Sequence, residues 1–323
     1  MSTEIIHVAA AAVLDGNGRV LITRRDDDAH QGGLWEFPGG KLEPGEDIGQ
    51  GLRRELQEEL GISVTKSRPL LKLTHHYHDL SVCLDVHTVT DFEGQPEGLE
   101  GQPLRWCELD ALDPDEFPAA DVPVINALRL PRRYLITGNF DSVADFQNRL
   151  ERSLANGIKL VQLRIKPDWY SQNSNAFDSI VSISKQACAS AGAILMMNVP
   201  EDADARVAKI TAVKNLHADS RRLQQLDTRP DCEWFSASCH TGKDLDKAQS
   251  LGADFVVLSP VQYTTSHPDT EPLGWQRFSA MIDDVNIPVY ALGGVDASHV
   301  DRAIDAGGQG VAAISAFWSD WKS

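Results

Sequence analysis

The sequence predicts a two-domain protein of α/β class whose second domain is a (β/α)8 barrel. The 323 residues are enough for two separate hydrophobic cores. Up to residue 130, strand-like and helical segments follow one another irregularly, whereas from residue 131 short apolar runs alternate with helical segments. We therefore place the two domains at residues 1–130 and 131–323.

Composition and charge narrow the possible functions. With 42% hydrophobic and 24% charged residues the chain is typical of a soluble globular protein, and no apolar run reaches the roughly 18 residues of a membrane span. The net charge of −17 argues against binding of polymeric nucleic acid, although a mononucleotide that arrives with Mg²⁺ remains compatible. Five scattered cysteines predict free thiols and a cytoplasmic location, and the sequence leaves an oligomer possible.

The first domain contains strand-like segments at 5–14, 19–24, 70–76, 81–89 and 104–108, and a short helix at 122–130. Between the second and third strands we predict a helix over residues 47–60, because apolar residues recur there every four positions, up to Leu56 and Leu60. Gly61 is the residue type that commonly ends a helix.

Three carboxylates lie close together on that helix. Glu55, Glu58 and Glu59 stand at i, i+3 and i+4, on one face and beside the apolar stripe. Like charges at this spacing destabilise a helix by about 0.2–0.5 kcal/mol per pair, which a bound cation would offset. Mg²⁺ is commonly held by carboxylates together with substrate phosphates. The helix therefore predicts metal-assisted chemistry on a phosphorylated substrate.

In the second domain, eight predicted strands are mostly continuous apolar runs, as expected for parallel strands covered on both faces. They lie at 134–137, 160–165, 193–198, 213–217, 234–238, 255–259, 289–292 and 310–315, with helical segments between them. The result is a compact (β/α)8 TIM barrel.

The acidic helix is part of a longer motif, G-x5-E-x7-R-E-U-x-E-E-x-G-U, in which U is aliphatic. It is filled here by Gly40, Glu46, Arg54, Glu55, Leu56, Glu58, Glu59, Gly61 and Ile62. On this motif the first domain resembles the Nudix hydrolases. The resemblance implies an α/β/α sandwich, Mg²⁺ or Mn²⁺ bound by Glu55, Glu58 and Glu59, and an Arg54 that holds a motif carboxylate in place.

The stretches LITRRDDDAH, FPGGKLEPGE and EGQPLRW resemble the MutT-type group of that family. This resemblance implies hydrolysis of 8-oxo-dGTP to 8-oxo-dGMP and pyrophosphate, which cleans the nucleotide pool and avoids mutation. It also makes Glu100 a further metal ligand or the general base, and Gly39 part of the metal site. The substrate would contact Arg25, Phe37, Gly39, Lys41 and Asp121.

Asp121 departs from the pattern of the resembled group, which presents an asparagine to the oxidised base at this place. An asparagine donates and accepts hydrogen bonds, whereas an ionised aspartate only accepts. It would face a base carbonyl oxygen badly unless it were protonated or turned to a ring N–H. The phosphate chemistry is therefore predicted more firmly than the base preference.

The barrel resembles the thiamine phosphate synthase and TenI family through VQLRIK, MMN, SASCH, LSPV and ALGGV. The resemblance implies a site for a phosphorylated small molecule, built from Gln162, Arg164, Lys166, Asn198, His240, Gly293, Gly294 and Ser315. The two metal-binding acids expected of a synthase are replaced, because Val199 and Pro200 follow Asn198 and Arg222 stands at the second place. We therefore predict no synthase activity.

Three functional hypotheses follow. The first is a Nudix enzyme for oxidised nucleoside triphosphates with an appended barrel. The second is a thiamine-salvage protein, in which the barrel binds or isomerises thiazole phosphate and the Nudix domain acts on a thiamine-related diphosphate. His240 would take part in the isomerisation, because it matches the position of the acid–base histidine in thiazole tautomerases. The third is a non-catalytic barrel that senses a phosphorylated metabolite or serves as an interaction platform. The intact Nudix motif favours the first.

Overall fold

The computed structural model describes residues 5–212, 214–264 and 271–318. The chain divides into two compact units. The first runs from the N-terminus to Arg129 and includes Asn286–Pro288, and the second contains the remainder from Leu130 onward.

The first unit contains a mixed seven-stranded sheet and two α-helices. The strands are β1 Ile5–Leu14, β2 Val20–Arg24, β3 Trp35–Glu36, β4 Gly39–Lys41, β5 Ser63–His76, β6 Ser81–Glu93 and β7 Leu104–Cys107. The helices are α1 Ile48–Leu60 and α2 Val122–Arg129. The strand order is β3-β2-β1-β6-β5, with β4 paired to β1 and β7 to β2. Only the β1–β6 pair is parallel within this sheet as described.

The sheet lies between the two helices because residues of β1 alternate between its faces. Ala9 and Ala11 belong to the core that contains Leu52 and Leu56 of α1. Their neighbours Ala10 and Ala12 belong to the opposite core, which includes residues of α2. The predicted α/β/α sandwich is confirmed.

Two parts of this sheet differ from the prediction. Strand β5 begins at Ser63 and not at residue 70, because its polar first half pairs with β6 through the backbone and shows no apolar alternation. Strands β3 and β4 were not predicted, since at two and three residues they are too short for a periodic pattern. Both lie in the segment between β2 and α1, which leads into the helix with the predicted metal ligands.

The second unit is a closed barrel of eight parallel strands, as predicted. The strands are β8 Arg133–Ile136, β9 Leu160–Arg164, β10 Ile194–Asn198, β11 Leu216–Ala218, β12 Phe235–Cys239, β13 Phe255–Leu258, β14 Val289–Leu292 and β15 Gly310–Ala313. The helices are α3 Val143–Ala155, α4 Pro167–Gln172, α5 Ser174–Ser190, α6 Asp204–Ile210, α7 Ser220–Gln225, α8 Gly242–Ser250, α9 Gly274–Ile282, α10 Val300–Asp305 and α11 Ser315–Trp318. The strand predicted at 213–217 begins at Leu216, and residue 213 lies outside the described residues.

Large side chains fill the inside of the barrel. The rings of Tyr134, Phe255 and Tyr290 are fully buried, with centroids 5.5–5.7 Å apart. The barrel is therefore a packed core with no open channel along its axis at this level, and ligands are expected at the carboxyl ends of its strands.

Candidate functional site

Helix α1 presents the acidic motif, and both of its ends are capped. The Asp47 side chain accepts from the Gln50 N–H while the Gln50 side chain accepts from the Asp47 N–H, which forms a capping box. Gly61 ends the helix in the left-handed conformation, at φ 68°. Leu52 and Leu56 are fully buried beneath the helix. These contacts fix the rotation of α1, so its carboxylates lie at the edge of the buried stripe.

Arg54 holds three of the motif carboxylates together. Its guanidinium donates to both oxygens of Glu46 at 2.8 and 2.9 Å, to Glu55 at 2.8 Å and to Glu58 at 3.1 Å. It also donates to the Lys41 carbonyl oxygen at 3.0 Å. The hydrogen bonds from Arg54 lower the pKa of Glu46 to about 2. Arg54 thus ties the loop before α1 to the acidic face of the helix.

Glu59 is a partly buried carboxylate of the helix. One of its oxygens accepts from the Gly39 N–H at 3.1 Å. Burial, together with the charges of Glu36, Glu55 and Glu100, raises the pKa of Glu59 to about 8. Several carboxylates therefore converge on one partly buried place, where each disfavours ionisation of the others.

Gly40 makes room for Glu55. A Cβ atom at Gly40 would lie 2.3–2.5 Å from the Glu55 carboxylate, closer than any real contact. At Gly39 a Cβ would lie 2.2 Å from the Ala9 carbonyl oxygen of β1. The glycine pair thus has two uses, because Gly39 allows sheet pairing and Gly40 leaves space for a carboxylate.

Glu100 comes from a distant loop that is anchored on the end of α1. The backbone N–H of Leu99 donates to the Glu59 carbonyl oxygen at 3.0 Å, and the Gln102 side-chain amide donates to the same oxygen at 3.0 Å. The Gln102 side chain also accepts from the Glu100 N–H at 3.0 Å. Gln102 was missed by the sequence reasoning because no pattern links it to residue 59.

The donor set suits a hard divalent cation. Carboxylate oxygens are the ligands that Mg²⁺ and Mn²⁺ take, and the space beside Gly40 would be closed by any side chain there. Among the described residues, no three carboxylate, imidazole or thiol groups are already arranged around one point. Glu55 and Glu58 are instead paired with the guanidinium of Arg54. A metal would therefore have to draw these side chains from the guanidinium.

A cavity of about 380 Å³ adjoins the acidic site. Gly39, Gly40 and Lys41 line its side near the carboxylates, and the predicted substrate residues Arg25, Phe37 and Asp121 line it further on. The remaining lining residues include Glu36, His30 and Tyr77. Every residue that we predicted to contact the substrate therefore lines one cavity.

The far wall of this cavity combines charge and aromatic rings. Arg25 forms an ion pair with Glu36, and its Nε donates to the His30 carbonyl oxygen at 2.9 Å. Tyr77 lies edge-on to the His30 ring, with centroids 4.9 Å apart. Phe37 is buried and packs on Phe117 at 5.8 Å. This wall can enclose a flat heteroaromatic ring.

Glu36 and His30 were not among the predicted site residues. Glu36 lies on the two-residue strand β3, which has no periodic signal of its own. His30 stands in the LITRRDDDAH stretch, and only that resemblance pointed to it.

Two of the barrel residues that we predicted, Arg164 and Lys166, line one cavity of the described part of the chain. This cavity of about 270 Å³ lies at the carboxyl ends of β8, β9 and β15 and is also lined by Asn139 and Trp169. Neither cation forms an ion pair with a carboxylate in the described part of the chain. This cavity can accept an anion.

Gln162 and Asn198 lie in the hydrogen-bond network of the barrel and do not line that cavity. Asn198 donates to the Gln162 side-chain oxygen at 2.8 Å, and Gln162 donates to the Tyr134 hydroxyl at 3.0 Å. His217 contacts Ser236 at 2.7 Å in the same network. Burial lowers the pKa of His217 to about 3, so its ring is neutral.

His240 follows β12, and its Nδ1 lies 3.0 Å from the Ser259 carbonyl oxygen. Because a carbonyl only accepts, Nδ1 carries the proton in this contact and Nε2 is the basic nitrogen. Gly293 and Gly294 both have positive φ, and a Cβ at Gly294 would lie 2.3 Å from the Tyr263 carbonyl oxygen.

The remaining barrel position, Ser315, is the first residue of α11. His240, the glycine pair and Ser315 thus lie outside the cavity that Arg164 lines.

Val199 and Arg222 stand at the positions where a synthase would carry its two metal-binding acids. Arg222 forms an ion pair with Asp204 at the start of α6, and Val199 is buried. The Arg222 guanidinium in this pair offsets the charge of the Asp204 carboxylate.

The fold and the sites define a Nudix-type hydrolase domain followed by a (β/α)8 barrel. The family model "NUDIX domain" matches residues 9–127, and "Thiamine monophosphate synthase" matches residues 133–317, more than half of the chain. The chain therefore belongs to the Nudix hydrolases through its first unit and to the thiamine monophosphate synthase family through its second.

Individual relatives agree with this division. An 8-oxo-dGTP diphosphatase of Escherichia coli is 41% identical over 38% of this chain and 96% of its own length. A CTP pyrophosphohydrolase of the same organism is 36% identical over 36% of this chain and 87% of its own. A putative thiamine-phosphate synthase 2 of Aquifex aeolicus is 29% identical over 59% of this chain and 99% of its own.

The predicted recognition of both families, and of the first unit as a Nudix pyrophosphohydrolase, is confirmed. Among the helices of residues 5–212, 214–264 and 271–318, none is long and apolar enough to cross a membrane. All five cysteines are free thiols.

Proposed function

We propose that the first unit hydrolyses oxidised purine nucleoside triphosphates, 8-oxo-dGTP in particular, to the monophosphate and pyrophosphate with Mg²⁺ or Mn²⁺. The observation that carries this proposal is the cavity that runs from the carboxylates beside Gly39 and Gly40 to the aromatic wall with Asp121. A nucleotide placed in it has its phosphates at the acidic end and its base at the aromatic end. The similarity to an 8-oxo-dGTP diphosphatase supports the same assignment.

A divalent cation at this site would neutralise the phosphates and lower the pKa of a bound water. Glu55, Glu58 and Glu59 would hold the cation, while Arg54 keeps the loop and helix in register. Glu100 joins the ligands or takes the proton from the water that attacks an inner phosphorus. Arg25 and Phe37 position the nucleoside in the cavity.

Steady-state kinetics with Mg²⁺ on 8-oxo-dGTP, dGTP, CTP, ADP-ribose and thiamine diphosphate test the proposal. We expect the highest kcat/KM for 8-oxo-dGTP. A preference for CTP would show that the substrate is a different nucleotide. A preference for thiamine diphosphate would support the salvage hypothesis instead.

The metal residues can be tested separately. Glu59→Gln replaces a carboxylate oxygen at this site with an amide nitrogen, which is a poor ligand for Mg²⁺, and is expected to lower kcat on the order of 10²-fold or more. Glu97→Gln changes an exposed glutamate of the loop that carries Glu100 and serves as the matched control. Equal activity of the two variants would contradict the assignment of Glu59 as a metal ligand.

For the second unit we propose binding of a phosphorylated small molecule, because Arg164 and Lys166 line a cavity without carboxylate partners. Thiazole phosphate is the ligand that the family suggests, and His240 leaves isomerisation open. Calorimetric titration of the full chain with thiazole phosphate and with inorganic phosphate tests this. Binding that survives Arg164→Gln unchanged would contradict the placement of the ligand.

A further inference from the structure

The loop between β6 and β7 carries Glu100 and is bound to the carboxyl end of α1. The last carbonyl oxygens of a helix have no partner inside the helix. In α1 the loop supplies two such partners, because the backbone N–H of Glu97 donates to the Leu60 carbonyl oxygen at 3.1 Å. The backbone N–H of Leu99 donates to the Glu59 carbonyl oxygen at 3.0 Å. The loop is therefore docked on the acidic helix through backbone groups.

Within this loop, Glu100 occupies a tight turn. The Gly101 N–H donates to the Gly98 carbonyl oxygen at 3.0 Å, so Glu100 is the third residue of the turn 98–101. Gly101 adopts the left-handed conformation, at φ 85°. A Cβ at Gly98 would lie 2.2 Å from the Gln102 carbonyl oxygen, so the turn closes tightly on the residue that follows it.

The side chain of Gln102 connects this turn to α1. Its Oε1 accepts from the Glu100 N–H at 3.0 Å, and its Nε2 donates to the Glu59 carbonyl oxygen at 3.0 Å. Both ends of the amide are thus used, one on the backbone of Glu100 and the other on the helix. Gln102 is half-buried, whereas Glu100 is exposed. The place of the Glu100 carboxylate consequently depends on how firmly its backbone is held.

The point of attachment is itself part of the acidic site. The Glu59 carboxylate accepts from the Gly39 N–H at 3.1 Å, while the carbonyl oxygen of the same residue accepts from Gln102. The charge of Glu100 is one of the causes that raise the pKa of Glu59, as expected for two carboxyl groups that lie near each other. One residue of α1 therefore relates the loop to the acidic face of the helix.

Resting on the proposed nucleotide hydrolysis, we propose that Gln102 is a positioning residue that sets the place of Glu100 against the carboxylates of α1. Gln102 is not among the residues that line the nucleotide cavity of the described chain, so it acts through the backbone of Glu100. Removing an outer partner of this kind typically costs about 10- to 100-fold in metal affinity or activity. The loss should appear only in an enzyme that still has the Glu100 carboxylate.

The anchoring can be measured without any reaction, by hydrogen–deuterium exchange on the metal-free full chain. Gln102→Met keeps the length of the side chain and removes both hydrogen bonds. We expect the amides of residues 97–100 to exchange about tenfold faster, while those of α1 are unchanged because Leu52 and Leu56 stay buried. Unchanged exchange of the loop overturns the proposal. Faster exchange of α1 as well would make Gln102 a support of the helix and also overturns it.

The link to Glu100 is tested by a double-mutant cycle on kcat for 8-oxo-dGTP with Mg²⁺. We expect Gln102→Met to lower kcat about tenfold in the wild-type chain and less than about twofold in the Glu100→Gln chain, since residues that act as a unit are not additive. Gln95→Met is the matched control, because it makes the same change at an exposed glutamine of the same loop. It should keep wild-type kinetics.

An equal loss in both chains would show that Gln102 acts independently of Glu100, and it overturns the inference while leaving the proposed hydrolysis standing. Full activity of Gln102→Met or of Glu100→Gln does the same. A wild-type chain that hydrolyses no nucleotide overturns the proposed function together with the inference, and it is recognised before any substitution is made.

Discussion

At the scale of single residues, the site depends on where a side chain is absent as much as on where one is present. The carboxylate of Glu55 occupies the space that a Cβ at Gly40 would need. A glutamate end is flexible, so it can move away, whereas the Ala9 carbonyl oxygen that faces Gly39 belongs to the sheet and cannot. The two neighbouring glycines should therefore respond differently to the same substitution.

We expect Gly40→Ala to lower kcat about tenfold to a hundredfold while the protein stays folded, because Glu55 is displaced from the metal site. Gly39→Ala should instead lower the thermal stability of the first unit. Gly16→Ala, at a turn with nothing within 4 Å, is the control. Kinetics and thermal unfolding of the three variants check this, and a Gly40→Ala enzyme with full activity would contradict the place assigned to Glu55.

The raised pKa of Asp121 also predicts how the free energy of unfolding depends on pH. Burial, with the charge of Glu36 adding, raises this pKa from 3.8 to about 8, so the folded protein binds more protons than the unfolded chain between these values. The contribution of Asp121 to the free energy of unfolding is fully present below pH 3.8 and is lost as the pH rises through about 8. Each pKa unit corresponds to about 1.4 kcal/mol.

Asp121→Asn should therefore unfold at a higher temperature than the wild type at pH 8, with the difference shrinking towards pH 4. The comparison of the two proteins removes the contributions of other acids, such as Glu59. Thermal unfolding followed by circular dichroism at several pH values measures it. A difference that is constant with pH would show that Asp121 is ionised in the folded state.

At the scale of secondary-structure elements, helix α1 and the loop before it form one unit joined by Arg54. A guanidinium reaches Glu46, Glu55 and Glu58 together because it has five N–H donors in a rigid plane. The ammonium of a lysine is a point charge and cannot span these carboxylates with the same geometry.

Arg54→Lys should consequently lower kcat on the order of tenfold to a hundredfold, although the formal charge is kept. Arg53→Lys, one residue earlier and exposed on the same helix, is the control and should keep its activity. Circular dichroism distinguishes a loss of helix from a loss of alignment. Equal kinetics of both lysine variants would mean that charge alone, without the bridging geometry, is needed.

At the scale of the whole molecule, each candidate site is built from one compact unit. The acidic site and its cavity use residues between Ile6 and Asp121, and the cationic cavity of the barrel uses residues between Thr137 and Ile314. No residue is shared between the two cavities. The two activities should therefore be separable by substitution.

We expect Glu59→Gln to lower kcat for triphosphate hydrolysis on the order of 10²-fold or more and to leave binding of thiazole phosphate unchanged. Arg164→Gln should weaken that binding and leave hydrolysis unchanged. Kinetics and calorimetry on both full-length variants measure the four quantities. Loss of hydrolysis in Arg164→Gln would reveal that the sites are coupled.

The sequence by itself determined the two families, the barrel and the acidic helix, because these depend on local spacing. The stripe through Leu52 and Leu56, the left-handed Gly61 and the eight apolar runs are each visible within a few residues of chain. Nudix chemistry could be predicted from the same window, since the motif residues lie within 23 positions, from Gly40 to Ile62.

Only the tertiary structure decided which distant groups meet. Gln102 anchors the loop of Glu100 on α1, and Glu36 lies with Arg25 beside Asp121, yet no spacing in the chain links these residues. In the barrel, Arg164 and Lys166 line a cavity, whereas Asn198 donates to Gln162 in an internal hydrogen-bond network. The physical reason is that protonation, ion pairing and cavity shape depend on distances in space, which local sequence patterns do not contain.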